Sequence, residues 1–166
     1  VNIMRFLPGT ILLFTALACS KPPPPLPECT GDTPLVEGIP GSPGHLVAST
    51  LNPNGMSELA LLMRDMVADM EAARDAIERG GQPAPVGARY RKLRCSWPTQ
   101  ESMRKAPFDA LAVAYLARVA EFDQQGLDAA ARYTGVLKGC RACHEVTCGG
   151  PLAVIDGLEL RPQRAR

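Results

Sequence analysis

The sequence predicts an all-α fold, and three observations predict it. Aromatic residues make up only 5% of the 166-residue chain. A core of Ala, Leu and Met suits helices better than sheets, which favour β-branched and aromatic side chains. Three segments repeat apolar residues at three- and four-residue spacings, the period of a helix with one buried face. The same segments are punctuated by helix starts and stops at Ser57, Gly80-Gly81, Pro107 and Gly126. The length fits one domain. The formal net charge of +1 gives no reason to expect a nucleic-acid partner.

The first helix opens at Ser57, a suitable N-cap after the turn Asn52-Pro53-Asn54-Gly55. Leu59, Leu62, Met63, Met66, Met70, Ala73 and Ile77 form one apolar stripe. Arg64, Asp65, Asp69, Glu71, Arg74, Asp75 and Glu78 occupy mainly the rest of the wheel. Gly80-Gly81 ends it. Residues 80–106 read as irregular, with a short helix over 87–94 carrying Ala88, Tyr90 and Leu93, closed by Trp97-Pro98. The second long helix spans about 107–122. Pro107 suits its first turn, and Phe108, Leu111, Ala112, Tyr115, Val119 and Phe122 make its apolar face. The third spans about 127–146, with Leu127, Ala130, Ala131, Thr134 and Leu137 leading into Cys140 and His144. Leu137 and His144 are seven residues apart, so they share a face.

The N-terminal region reads differently. Met4-Arg5 precedes an apolar run from Phe6 to Ala18, too short for a stable span and fitting a signal h-region. The run ends Thr15-Ala16-Leu17-Ala18-Cys19. It resembles a bacterial lipoprotein cleavage box, with Ala16 where Leu is more usual, and this makes Cys19 the expected lipidation site. The alternative is an ordinary secretory signal, and either way the chain is exported. Residues 19–55, rich in Pro and Gly, read as a linker between lipid and domain. The domain is expected over 56–157 and a tail over 158–166. The expected location is the periplasmic side of the cell envelope. Ser20 after Cys19 favours the outer membrane in a diderm host, because the aspartate that retains many lipoproteins in the inner membrane is absent there.

Cys140-Arg141-Ala142-Cys143-His144 is a Cys-x-x-Cys-His sequence, the signature of covalent attachment of one haem c. Two thiols must reach the two vinyl groups of one porphyrin, and the adjacent imidazole must meet the iron from one side. One turn of helix satisfies both. Two other chemistries compete. Cys140, Cys143, His144 and Cys148 offer four ligands to zinc, but structural zinc sites usually draw on two separated pairs. A thioredoxin-like dithiol calls for a strand–helix–strand setting, which the sequence lacks. With Cys19, Cys140 and Cys143 assigned, Cys29, Cys95 and Cys148 remain. An oxidising compartment allows one disulfide among them, and the sequence alone does not fix the pair.

The stretch Met63-Arg64-Asp65-Met66 through Ile77, and Gly126-Leu127-Asp128 through His144, resemble the first and last helices of the cytochrome c prime superfamily. Cys148-Gly149-Gly150-Pro151-Leu152 resembles a segment that follows the haem motif in a lipoprotein-like subgroup. The resemblance covers about residues 56–152. It implies an antiparallel four-helix bundle with haem near the C-terminal helix. It also implies one of two functions, chosen at the sixth iron position. A first-helix methionine there gives a His/Met centre for one-electron transfer, with Met66 the first choice and Met63 the second. An apolar side chain there gives a five-coordinate iron that binds NO or CO. Methionine is also a common gap-filler at helical spacing, so at least two of Met63, Met66 and Met70 are packing residues. Many gas-binding members carry Arg or Lys where this chain has Cys148. A bridge from Cys148 to Cys95 is the first choice for its role, a free buried thiol the other. Electron transfer through His144 and Met66 is the leading expectation, with redox proteins of the envelope as partners, the membrane reached through the lipid, and a homodimer within the family's range. The sequence shows no distal His or Arg constellation for peroxide chemistry, so no enzyme activity is expected.

Overall fold

The structure, a computed structural model, describes residues 45–104, 106–124 and 128–162. The signal segment, the Cys19 lipidation site, Cys29 and the linker up to residue 44 lie outside the described residues. The described elements are all helical: α1 (Glu58–Glu78), α2 (Gly87–Tyr90), α3 (Ala106–Phe122), α4 (Ala129–Thr147) and α5 (Leu152–Asp156), with 3-10 turns at Arg91–Arg94 and Glu101–Met103. No strand occurs among the described residues. One isolated bridge joins Val47 to Met56 across the Asn52–Gly55 turn, where Gly55 takes φ +77°. Among the described residues, backbone pairing thus reaches upstream of residue 56, to Val47.

Each long helix forms for local reasons. Ser57 Oγ accepts from the Ala60 N–H at 3.1 Å, satisfying one of the unpaired amides of the first turn of α1. Gly80, at φ +78°, carries the chain out of the helix in the left-handed region open to glycine. Asp128 caps α4 by accepting from the Ala130 and Ala131 amides. The expected stripe of α1 is buried, from Leu59 to Ile77, with Met63 half-buried beside it.

On α4 the buried face differs from the expected one. Tyr133, Val136 and Leu137 are buried, while Ala131 and Thr134 are exposed. Alanine and threonine contribute little area, so the tyrosine and valine one step round the wheel take the contact with α3. Gly139 then allows close approach: a Cβ there would lie 3.0 Å from Tyr115 Cδ2 of α3.

The irregular region is anchored rather than loose. Asp123, at the end of α3, accepts from the Val86 and Gly87 amides, each at 2.8 Å, and so starts α2. Trp97 is buried, and its carbonyl accepts from the Leu59 N–H at 2.9 Å. The C-terminal residues close over α1. Leu158 is in the core, its carbonyl accepts from Tyr133 Oη at 2.6 Å, and Arg161 pairs with Glu78 at 2.6 Å.

Candidate haem-attachment site

A cavity of about 740 Å³ lies between α1, the C-terminal half of α4, and α5. That volume is in the range of ligand sites in proteins, roughly 300–1,000 Å³. One wall carries Cys140, Cys143 and His144; the facing wall, on α1, carries Met63, Met66 and Met70. Apolar side chains complete it, among them Val67, Phe108, Ile155 and Leu158. The two motif residues without a ligand role, Arg141 and Ala142, are exposed. Arg141 pairs with Glu145 and with Asp156 of α5 outside the cavity.

The end of α4 orients the histidine. The Cys148 N–H still reaches the His144 carbonyl at 3.1 Å, but Cys148 itself is extended, with φ −161° and ψ 91°. Its carbonyl therefore turns back and accepts from His144 Nδ1 at 3.0 Å. A carbonyl only accepts, so Nδ1 carries a proton, and in the neutral ring this leaves the lone pair on Nε2. A hydrogen bond from the far ring nitrogen to a carbonyl is what orients a metal-binding imidazole. Below it, Thr147 Oγ1 donates to the Cys143 carbonyl at 2.8 Å.

Burial pushes the Cys140 thiol up to about 11, partly offset by the Tyr115 hydroxyl beside it. Burial also raises the Cys143 thiol, with Thr147 Oγ1 acting the other way. Reactive dithiols show the opposite shift, a thiolate favoured near neutrality. Among the described residues, no three His, Cys, Asp or Glu side chains converge as a metal-binding group. Two neutral thiols, one imidazole held at Nδ1 and an apolar cavity are the donors and the space that attachment of a haem would call for.

The Cys95–Cys148 disulfide expected from the sequence is not formed. Cys148 is a free thiol, as are Cys140 and Cys143, whereas Cys95 is disulfide-bonded. Cys148 is committed to the cavity wall by the turn that brings its carbonyl to His144.

Other large or charged side chains around the site have structural roles. Arg74 donates to the Gly157 carbonyl at 2.9 Å and does not line the cavity, while exposed Arg64 stands at its rim. Trp97 anchors its loop, and Tyr90 stacks on Tyr115. Sequence reasoning missed the rim residues Leu51, Pro98 and Thr99, because loop residues carry no periodic signal. It also missed the second role of Ser57, whose Oγ lies 3.1 Å from Thr99 Oγ1. No family model, no curated protein and no solved structure matches the chain.

Proposed function

We propose that this chain is an exported, membrane-tethered monohaem c-type cytochrome of the cytochrome c prime type, acting in one-electron transfer. In that reading α1, the short 87–94 segment, α3 and α4 are the four members of an antiparallel bundle whose second helix is reduced to about two turns. The observation that carries the proposal is the cavity itself. It gathers Cys140, Cys143 and an oriented His144 on one wall and three methionines on the other.

The roles follow from the chemistry of each side chain. Cys140 and Cys143 would hold the macrocycle as thioethers through its two vinyl groups, each S–H adding across one double bond with no oxidant needed. His144 would offer Nε2 to the iron while the Cys148 carbonyl holds its Nδ1 proton. Met66 would offer its thioether to the iron, with Met63 the second choice, and the remaining methionines pack. Val67, Phe108, Ile155 and Leu158 keep water from the centre. Bound haem supplies a one-electron iron couple, and a thioether ligand raises its potential. The lipid on Cys19 and the linker hold the domain at the membrane, within reach of redox partners.

The test is production of the full chain in cells that carry out cytochrome c maturation. One covalent haem is expected by mass, and none when Cys140 and Cys143 are both replaced by Ala. The ferrous protein is expected to be low-spin and slow to take up carbon monoxide. Met66→Leu converts it to a high-spin form that binds carbon monoxide readily. Low-spin spectra that survive both Met66→Leu and Met63→Leu would overturn both ligand choices. A wild-type ferrous protein that is high-spin and binds carbon monoxide at once would establish the gas-binding alternative.

A further inference from the structure

Tyr115 carries a polar group that the proposed function does not use. The residue is 3% exposed, and its hydroxyl is buried without a well-formed hydrogen bond among the described residues. A buried donor left unmade costs about 1–3 kcal/mol, so what it faces matters. Cys140 stands beside it, one residue on from the Gly139 that the ring approaches.

Packing, not the hydroxyl's own bonding, fixes the ring there. On one side Gly139, next in sequence to Cys140, lets the ring approach so closely that a Cβ would meet Cδ2 at 3.0 Å. On the other side Tyr90 stacks at 6.2 Å between centroids and 18° between planes. Tyr90 is itself tied down, its hydroxyl donating to the Met66 carbonyl at 3.3 Å. The phenol is thus clamped between α4, which carries the attachment cysteines, and Tyr90 of α2, which is itself tied to α1.

We propose that Tyr115 is a positioning residue for the Cys140 sulfur, its hydroxyl donating to that sulfur once the thiol has become a thioether. This rests on the haem reading above. A free thiol is both donor and acceptor, whereas a thioether only accepts. Attachment therefore leaves Cys140 Sγ as a pure acceptor beside a donor that lacks one. Hydrogen bonding outside the ligand set is one of the protein's means of tuning a haem. A donor on the thioether draws electron density from the macrocycle and favours the reduced state.

The test compares Tyr115→Phe with Tyr133→Phe in the full-length haem protein. Tyr115→Phe is expected to lower the reduction potential while leaving both thioethers intact. Tyr133→Phe is expected to lower the melting temperature, since it strips the partner of the Leu158 carbonyl, and to leave the potential unchanged. An unchanged potential in Tyr115→Phe overturns the proposal. The haem-free chain offers a second readout, the infrared S–H stretch assigned to Cys140 by difference against Cys140→Ser. That band is expected to shift in Tyr115→Phe. If the wild-type chain acquires no covalent haem, the functional reading fails. The S–H band then decides the role of Tyr115, an unmoved band overturning it.

Discussion

Single glycines mark where the backbone has no room. Gly87 sits where Asp123 caps the start of α2, and a Cβ there would overlap Asp123 Oδ2. Gly135 of α4 has nothing within reach of an added Cβ. The two positions therefore predict opposite signs for the same substitution. Gly87→Ala is expected to lower stability by about 1–3 kcal/mol, through overpacking and loss of the two Asp123 hydrogen bonds. Gly135→Ala is expected to raise it by up to about 1 kcal/mol, the helix-propensity difference. Urea melts of both variants check this, and a stabilised Gly87→Ala would refute the capping account. Glycine itself was visible in the sequence at both places. The difference between them was not, because Asp123 lies 36 residues from Gly87 along the chain.

At the scale of elements, local signals did most of the work. Ser57 caps α1 as its position before the apolar stripe implied, and Gly80 ends it. Ser57→Ala is expected to cost about 1 kcal/mol, with a fall in helix signal confined to the onset of α1. The short 87–94 helix was legible from Ala88, Tyr90 and Leu93, although half of it is a 3-10 turn. The face of α4 was less legible. Periodicity identified the helix but assigned Ala131 and Thr134 to a face that Tyr133 and Val136 take instead. Small and weakly polar residues fit either side of a helix, so the partner helix decides.

For the whole molecule, the buried tyrosines tie stability to pH. Burial pushes Tyr133 up to about 12 from an ordinary 10.0, and raises Tyr90 and Tyr115 in the same direction. Above pH 10 the unfolded chain therefore releases protons that the folded chain retains. Folding stability is expected to be unaffected by these groups below about pH 10 and to fall as pH rises through 12. Tyrosinate absorbance should then appear together with loss of helix signal, not before it. Titration of all three tyrosines in a fully helical protein would contradict their burial. Cys140 adds to the same trend only while its thiol is free.

The sequence by itself determined the all-α class, the bounds of the long helices and the placing of Cys140, Cys143 and His144 together on one helix. It did so because spacing within one helix is a local property: residues seven apart share a face wherever the helix goes. Tertiary structure decided what those residues meet. It placed Met63, Met66 and Met70 across an apolar cavity from the motif, and turned the Cys148 carbonyl onto His144 Nδ1. It kept Cys148 out of the disulfide that its chemistry alone allowed, and clamped Tyr115 beside Cys140. Apart from the Cys148–His144 turn, these contacts join segments tens of residues apart. Their register is set by how whole helices pack, which no local spacing encodes.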